Sequence, residues 1–267
     1  MVNGVGKPQI PDISVPDNLL PGAKPIFISQ SRISMVFFHG FTSSPMEGRQ
    51  FAEHFAEKGY TVWVPLLPGH GTKPSDLMDV KWQDWYYSAE EFYLNLKNQS
   101  DKVIVCGQSM GGALALNLAT RFKVDALVTF AAAVFLNDWR LKFLPLAKMF
   151  LHYQYKSKGP DVFSREAKKN SVSYNKYPLK SLEQLLLLLK HTKNHLEQVS
   201  DPVLLIHSKR DHTVSYKNLD YIYSHVSSNI KEKESLENSY HVISMDIESE
   251  KIFHSVDSFL QRLGLKL

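Results

Sequence analysis

A serine placed between two glycines, in Gly107-Gln108-Ser109-Met110-Gly111, is the part of this sequence best suited to covalent chemistry. An apolar, β-branched run from Val103 to Cys106 precedes it, and a helical pattern follows from Met110 to Arg121. In such a strand-to-helix turn a serine is strained and its hydroxyl stands above the sheet, while the glycines let strand and helix approach closely. The spacing predicts that Ser109 is a nucleophile. The alternative is a glycine-containing turn with an incidental serine.

A nucleophilic serine needs a general base, and the base needs a carboxylate to orient it. Asp211 comes four residues after the predicted strand Val203 to His207. His241 lies in the loop after the predicted strand Ile230 to Ser235. Since each follows its own strand, as Ser109 does, we predict that Asp211 is the acid and His241 the base.

Both assignments have alternatives. Asp211 could be an exposed turn residue that caps the following helix, and His241 could be an ordinary loop histidine, one of eleven in the chain. His207, inside a predicted strand, and His212, beside Asp211, are lower-ranked candidates for the base. His254 lies within the last predicted helix, where we expect it to face solvent.

Two backbone amides are candidates for stabilising a negatively charged oxygen. The strand Met35 to Phe38 ends in His39-Gly40-Phe41, where the glycine permits a sharp turn that aims the Phe41 amide at the serine. The Met110 amide directly follows the serine and is the second expected donor. His39, and His70 between two glycines, are interpreted as side chains that brace their loops.

The elements that must position these residues alternate regularly from about residue 26 onward. Short, continuously apolar runs are separated by segments with helical spacing, which is typical of a mostly parallel sheet covered by helices on both faces. The predicted strands are Ser34 to Phe38, Tyr60 to Pro65, Val103 to Cys106, Ala126 to Phe130, Val203 to His207 and Ile230 to Ser235. The predicted fold class is therefore α/β.

One segment of about seventy residues, after Ala132, carries no strand pattern. Trp139 to Leu151 and Ser181 to Leu189 have helical patterns instead, which predicts a helical cap over the active face. The predicted organisation is a proline-rich arm (residues 1–25), a core (26–133 and 197–267) and a cap (134–196).

Apolar side chains are frequent in the first part of the cap. We predict that Phe135, Trp139 and Phe143 line a substrate pocket. Further candidates in the same stretch are Leu136, Leu141, Leu144, Leu146, Met149 and Phe150. The alternative is that most of these side chains only pack the cap against the core.

Charge is distributed unevenly along the chain. The 267 residues include 31 Lys and Arg against 27 Asp and Glu, a net charge of +4, which is too weakly basic to indicate a nucleic-acid-binding protein. The cap alone holds 12 Lys and Arg against 4 Asp and Glu, and the remainder has a net charge of −4. Such a cluster is most commonly a solvated helical face. The alternative hypothesis is a surface that attracts anionic interfaces or acidic substrates, which includes transient contact with a lipid interface.

Other features exclude several classes of site. The histidines and cysteine lack metal-ligand spacing and no glycine-rich phosphate loop is present, so no metal or cofactor is predicted. The single cysteine, Cys106, cannot form an intrachain disulfide, and Met1 to Gln9 lacks a secretory pattern, which favours the cytoplasm. Purely apolar runs such as Leu185 to Leu189 are too short to span a bilayer.

The motifs together resemble the α/β-hydrolase superfamily and, within it, the bacterial carboxylesterase and monoacylglycerol lipase group. The resemblance extends over roughly residue 25 to the C-terminus and includes the serine motif, HGFTSSP from His39 to Pro45, PLLPGHGT from Pro65 to Thr72, the pair Trp82 and Trp85, and SYHV from Ser239 to Val242. It implies a cap inserted after the sixth strand, a Ser109, Asp211 and His241 triad, and Phe41 and Met110 as oxyanion donors.

The resulting prediction is a serine ester hydrolase that cleaves carboxylic esters of short-to-medium acyl chains through an acyl-enzyme on Ser109. The same triad could instead serve thioester hydrolysis, acyl transfer, or peptide or carbon–carbon cleavage, because a fold and a triad do not separate these reactions. A ligand-binding receptor with a hydrolase pocket is the alternative from another class.

Overall fold

A computed structural model describes residues 6–9, 15–156 and 159–267 of the chain. Its strands, in chain order, are β1 (Ile26–Ile28), β2 (Ile33–Phe38), β3 (Thr61–Val64), β4 (Lys102–Gln108), β5 (Ala126–Phe130), β6 (Tyr153–Tyr155), β7 (Lys176–Pro178), β8 (Val203–Ser208) and β9 (Lys231–Leu236). Its α-helices are α1 (Arg49–Glu57), α2 (Trp82–Lys97), α3 (Met110–Ala119), α4 (Leu144–Phe150), α5 (Arg165–Asn170), α6 (Leu179–Asn194), α7 (Lys217–His225) and α8 (Ser249–Arg262).

Seven of these strands form the central sheet, in the order β1-β3-β2-β4-β5-β8-β9. All neighbouring strands are parallel except β1, which runs antiparallel to β3. In β2 and β4 the register pairs Phe38 with Gly107, so the chain that leaves β2 passes beside the end of β4. The prediction of a mostly parallel sheet is confirmed.

Helices cover both faces of the sheet because its central strands are apolar on both sides. In β2, Met35 and Phe37 belong to the core that contains the buried side chains of α1 and α8. The intervening Val36 and Phe38 belong to the opposite core, against α2, α3 and α6. Successive strand residues point to opposite faces, which explains the continuous rather than alternating apolar runs in the sequence.

The cap differs from its prediction in one respect. Besides the short helices α4 and α5, it contains β6 and β7, which pair antiparallel as a separate two-stranded sheet. The expectation of a strand-free, purely helical cap was wrong, because strands of three residues are too short to produce a detectable periodicity. Helix α6 packs against α2 and α3 of the core as well as against α4.

The insertion point also differs from the expected one. Among the described residues, the cap follows β5, which is the fifth strand in chain order and not the sixth. In the described part of the chain, β1 is the one strand that precedes β2. The prolines between Pro8 and Pro25 have no amide hydrogen to donate to a further edge strand.

The predicted arm is described only in part, since residues 1–5 and 10–14 lie outside the described residues. The Pro8 carbonyl accepts a hydrogen bond from the Ser29 hydroxyl at 2.6 Å, and the Leu20 amide donates to the Gly71 carbonyl at 2.7 Å. These described parts lie against the core. The division of the chain into arm, core and cap stays a prediction.

Candidate active site

Ser109 occupies the turn between β4 and α3 with φ 56° and ψ −113°, a left-handed conformation that non-glycine residues rarely adopt. Its amide donates to the Phe130 carbonyl of β5 at 2.8 Å, which fixes the turn to the neighbouring strand. The sequence predicted this strained strand-to-helix turn from the residue types alone. Strain of this kind persists only where the surrounding structure enforces it.

The two flanking glycines make the turn possible because backbones come into contact there. A Cβ on Gly107 would lie 2.1 Å from the Gly111 carbonyl oxygen, and a Cβ on Gly111 would lie 1.9 Å from the Phe38 carbonyl oxygen. Both distances are far below van der Waals contact, and both neighbours are backbone atoms that cannot rotate away. Any side chain at either position would push β2, β4 and α3 apart.

Replacement of Gly111 by alanine is therefore expected to destabilise the fold by roughly 3 kcal/mol or more, since overpacking against backbone cannot be relieved by a rotamer change. Thermal or urea unfolding measures this directly. Gly264→Ala is the control: its φ is +68° but nothing lies within 4 Å of the added Cβ, so the cost is only about 1 kcal/mol. Equal stability of Gly111→Ala and the wild type would contradict the close approach.

The structure brings Ser109, His241 and Asp211 into one hydrogen-bonded chain. The Ser109 hydroxyl lies 2.8 Å from His241 Nε2, and His241 Nδ1 lies 2.7 Å from Asp211 Oδ2. A carboxylate only accepts, so Nδ1 carries the proton and Nε2 is free to accept the serine proton. The Asp211 side chain is fully buried and that of His241 is 9% exposed.

Charge and hydrogen bonding set the protonation of this pair. Burial by itself would raise the pKa of Asp211, but the His241 charge and the hydrogen bonds from His207 and His241 hold it well below its ordinary value. Burial would lower the pKa of His241, but the Asp211 charge and hydrogen bond outweigh it and raise the pKa. His241 therefore becomes a stronger base while Asp211 stays ionised.

Backbone amides complete the shell of Asp211. Its Oδ1 accepts from the amides of Thr213 and Val214, at 2.8 and 2.7 Å. The carboxylate is thus aimed at His241 by its own turn, and it is not the exposed helix-capping residue that was the alternative.

His207 is a second imidazole on the same carboxylate, a role that sequence reasoning did not assign to it. Its Nε2 donates to Asp211 Oδ2 at 3.1 Å and to the Val214 carbonyl at 3.0 Å. Its place as a buried polar residue in β8, four positions before Asp211, was the available signal. His212 instead contacts the cap, and His254 is exposed on α8 as expected.

The loop after β2 passes directly beside the serine. A Cβ on Gly40 would lie 3.5 Å from Ser109 Cβ, and the Gly40 amide donates to the buried Glu47 carboxylate at 2.7 Å. Phe41 follows at once, and Thr42 has a φ of 65° that turns the chain sharply. Met110 is the first residue of α3, where amides have no partner within the helix. Gly40, which precedes Phe41, thus lies against the serine, and Met110 directly follows the serine in the chain. The role of the Phe41 and Met110 amides as oxyanion donors stays a prediction.

Two buried histidines hold this loop. His39 Nε2 accepts from the Leu67 amide at 3.2 Å, and His70 Nε2 accepts from the Thr42 amide at 3.0 Å. Burial lowers the pKa of His39 to about 4 and that of His70 well below its ordinary value, so both rings are neutral and can accept. This matches the bracing role inferred from the sequence.

The three cap residues predicted to line a pocket lie in different surroundings. Phe135 is half-buried with its ring 5.7 Å from that of Tyr221. Trp139 and Phe143 are 71% and 56% exposed and contact each other. The cap side chain that packs on Phe41 is Tyr177, with ring centroids 5.5 Å apart, which sequence reasoning did not single out.

The sheet is mostly parallel, helices cover both its faces, and a strained serine occupies the turn between β4 and α3. This arrangement defines the α/β-hydrolase class of proteins. Within it, the chain belongs to the Hydrolase_4 family, described as serine aminopeptidase, S33, whose family model matches residues 29–248. The resemblance stated from the motifs is thereby confirmed at the level of the family.

Named relatives and solved structures agree with this family. The thermostable monoacylglycerol lipase of Bacillus sp. (strain H-257) is 34% identical over 92% of this chain and 98% of its own. The carboxylesterase of Bacillus subtilis (strain 168) is 25% identical over 90% and 97%. A solved structure from the work on LipS and LipT, two metagenome-derived lipolytic enzymes, is 32% identical to this chain. Its TM-score is 0.87, over 91% of this chain and 99% of that one. The monoacylglycerol lipase of Paleococcus ferrophilus shares the fold, with a TM-score of 0.76 and 14% identity over 90% of this chain and 98% of that one.

Proposed function

We propose that this protein is a serine ester hydrolase of the carboxylesterase or monoacylglycerol lipase type, acting on esters of short-to-medium acyl chains. The observation that carries the proposal is the hydrogen-bonded chain from Ser109 through His241 to Asp211 at the β4–α3 turn. Relatives named as a monoacylglycerol lipase and a carboxylesterase support the ester as substrate class.

In the proposed reaction, His241 Nε2 takes the Ser109 proton while Ser109 Oγ attacks the ester carbonyl carbon. Asp211 stabilises the imidazolium that forms, and the amides of Phe41 and Met110 donate to the oxyanion of the tetrahedral intermediate. His241 then gives the proton to the departing alcohol, and an acyl-enzyme remains. Water, deprotonated by His241, attacks the acyl-enzyme and releases the carboxylic acid and Ser109.

A substrate series tests the proposal and separates it from its alternatives. Nitrophenyl esters from acetyl to dodecanoyl, monoacylglycerols, an acyl thioester and an aminoacyl nitroanilide are compared by kcat/KM. We expect the highest values for esters of intermediate chain length. A preference for the thioester or nitroanilide would assign the same triad to another reaction, and no turnover together with ligand binding would favour the receptor.

We further propose that the cap makes transient contact with anionic lipid. Its first segment presents a cluster of exposed apolar side chains, which we call the cap apolar patch: Trp139, Phe143, Leu146, Met149, Phe150 and Leu151. The surrounding cap has a net charge of +8. Apolar side chains among cations suit the surface of an anionic bilayer, where insertion and charge attraction add together.

Vesicle sedimentation tests this contact. The protein is expected to bind vesicles of phosphatidylcholine with phosphatidylglycerol more strongly than phosphatidylcholine alone, and added salt should weaken binding because the charges are screened. Trp139→Ser with Phe150→Ser should reduce binding, whereas Tyr87→Ser, an exposed aromatic residue on α2, should not. Binding that ignores both lipid charge and these substitutions would refute the proposal.

No α-helix in the described part of the chain has the length and apolar character needed to cross a bilayer. The cytoplasmic location expected from the lone cysteine stays a prediction.

A further inference from the structure

Asp161, in the cap, contacts two loops of the proposed triad. We call the loop that carries His241 the base loop and the loop that carries Asp211 the acid loop. It follows Gly159 and Pro160, where Gly159 has a φ of +67° and turns the chain back toward the core. The Asp161 carbonyl accepts hydrogen bonds from the amides of His241 and Val242, at 3.0 and 3.1 Å. The backbone of the base loop is therefore tied directly to the cap.

The side chain of the same residue holds the acid loop. Asp161 Oδ2 accepts from the His212 amide at 3.0 Å and from the Thr213 hydroxyl at 3.1 Å, and His212 Nδ1 donates to Asp161 Oδ1 at 3.0 Å. His212 and Thr213 directly follow Asp211, and the Thr213 amide itself donates to Asp211 Oδ1. One cap residue thus bridges the two loops whose separation sets the His241–Asp211 hydrogen bond.

A second aspartate fixes this cap segment to the base loop only. Asp246 accepts from the amides of Phe163 and Ser164 in the cap, both at 2.9 Å, and from the Tyr240 amide at 2.8 Å. Asp246 already holds this cap segment against the base loop. The Asp161 side chain can therefore accept its hydrogen bonds from the acid loop.

Asp161 also carries a charge that acts on the base. Its side chain is 19% exposed, and its negative charge adds to those of Asp211 and Glu47 in raising the pKa of His241 against the effect of burial. A negative charge in that place stabilises the imidazolium formed when Ser109 gives up its proton.

We propose that Asp161 is a positioning residue for the Ser109–His241–Asp211 triad, holding the acid and base loops in register, so that the cap takes part in turnover as well as in covering the site. This inference rests on the proposed ester hydrolysis. It predicts that changes at Asp161 alter kcat more than KM, because the geometry of proton transfer and not the contact with substrate is disturbed.

The test compares Asp161→Asn, Thr213→Val and the control Glu166→Gln in the full chain. Glu166 is an exposed cap acid in α5, so its variant makes the same charge change without facing His241. Asp161→Asn is expected to lower kcat by roughly tenfold, with KM nearly unchanged. The acid limb of its kcat/KM profile should move to lower pH, because losing the charge lowers the pKa of His241. Thr213→Val should lower kcat less, and the control should match the wild type.

The proposal is overturned if Asp161→Asn has the wild-type kcat and an unshifted acid limb. It is also overturned if kcat falls but the acid limb stays in place, because that result indicates a merely structural role. If Asp161→Asn does not fold, the exposed Thr213→Val decides: a reduced kcat supports the proposal and a wild-type kcat refutes it. The rate of fluorophosphonate labelling at Ser109 is measured for every variant. Labelling without ester turnover in the wild type would refute the proposed function, while the labelling rates would still test Asp161.

Discussion

Replacing Ser109 by alanine is expected to lower kcat for ester hydrolysis by roughly six orders of magnitude, the scale seen when a nucleophilic serine is removed from a triad. The loss follows because the side chain oxygen 2.8 Å from His241 Nε2 is the only proposed attacking atom. Initial rates on a nitrophenyl ester of intermediate chain length give the value. Thermal unfolding checks that the variant is folded.

The matched control for this substitution is Ser255→Ala on α8, where the hydroxyl donates to the Lys251 carbonyl one turn earlier. It removes the same atom far from the β4–α3 turn and should retain wild-type activity. If purified Ser109→Ala hydrolysed esters at a rate comparable to this control, Ser109 would not be the nucleophile.

Asp211→Asn is expected to lower kcat by about four orders of magnitude, which is the scale for losing the acid of a serine triad. The asparagine amide has no charge to stabilise the imidazolium. It can also present its NH₂ group to His241 Nδ1, which would shift the ring proton to Nε2 and block acceptance of the serine proton. Steady-state kinetics at saturating ester, with circular dichroism to confirm folding, measure the effect.

Asp220→Asn is the comparison, because Asp220 is an exposed acid that pairs with Lys233 outside the site. It should be indistinguishable from the wild type. A loss in Asp211→Asn no larger than in this control would show that Asp211 does not orient the base. His207→Gln should cause a loss between the two, since Asp211 keeps its two amide donors and His241.

The residues that could be predicted from the sequence are those that lie in loops directly after strongly apolar strands. Ser109, Asp211 and His241 follow β4, β8 and β9 at short distances, so the parallel sheet brings them to one edge. Gly107 and Gly111 marked the turn because only glycine fits where backbones meet. These signals are local in sequence. A parallel sheet places the loops that follow its strands at one edge, so the three residues come close together.

The features that escaped prediction depend on contacts between distant segments. Asp161 lies fifty residues before Asp211 and eighty before His241 in the chain, and nothing in its neighbourhood signals that it reaches both loops. Strands β6 and β7 are too short to produce a pattern. The exposure of Trp139 and Phe143 could not be foreseen either, because an apolar residue in a cap has the same sequence signal whether it packs inward or faces outward.

The central claim is that Ser109 is the nucleophile of an ester hydrolase, and covalent trapping tests it most directly. The wild type is treated with a fluorophosphonate, its intact mass and residual esterase activity are followed together, and the modified peptide is sequenced. We predict one adduct per chain, on Ser109, with activity lost in proportion to labelling. An adduct on another residue, or full esterase activity in protein completely labelled at Ser109, would contradict the account.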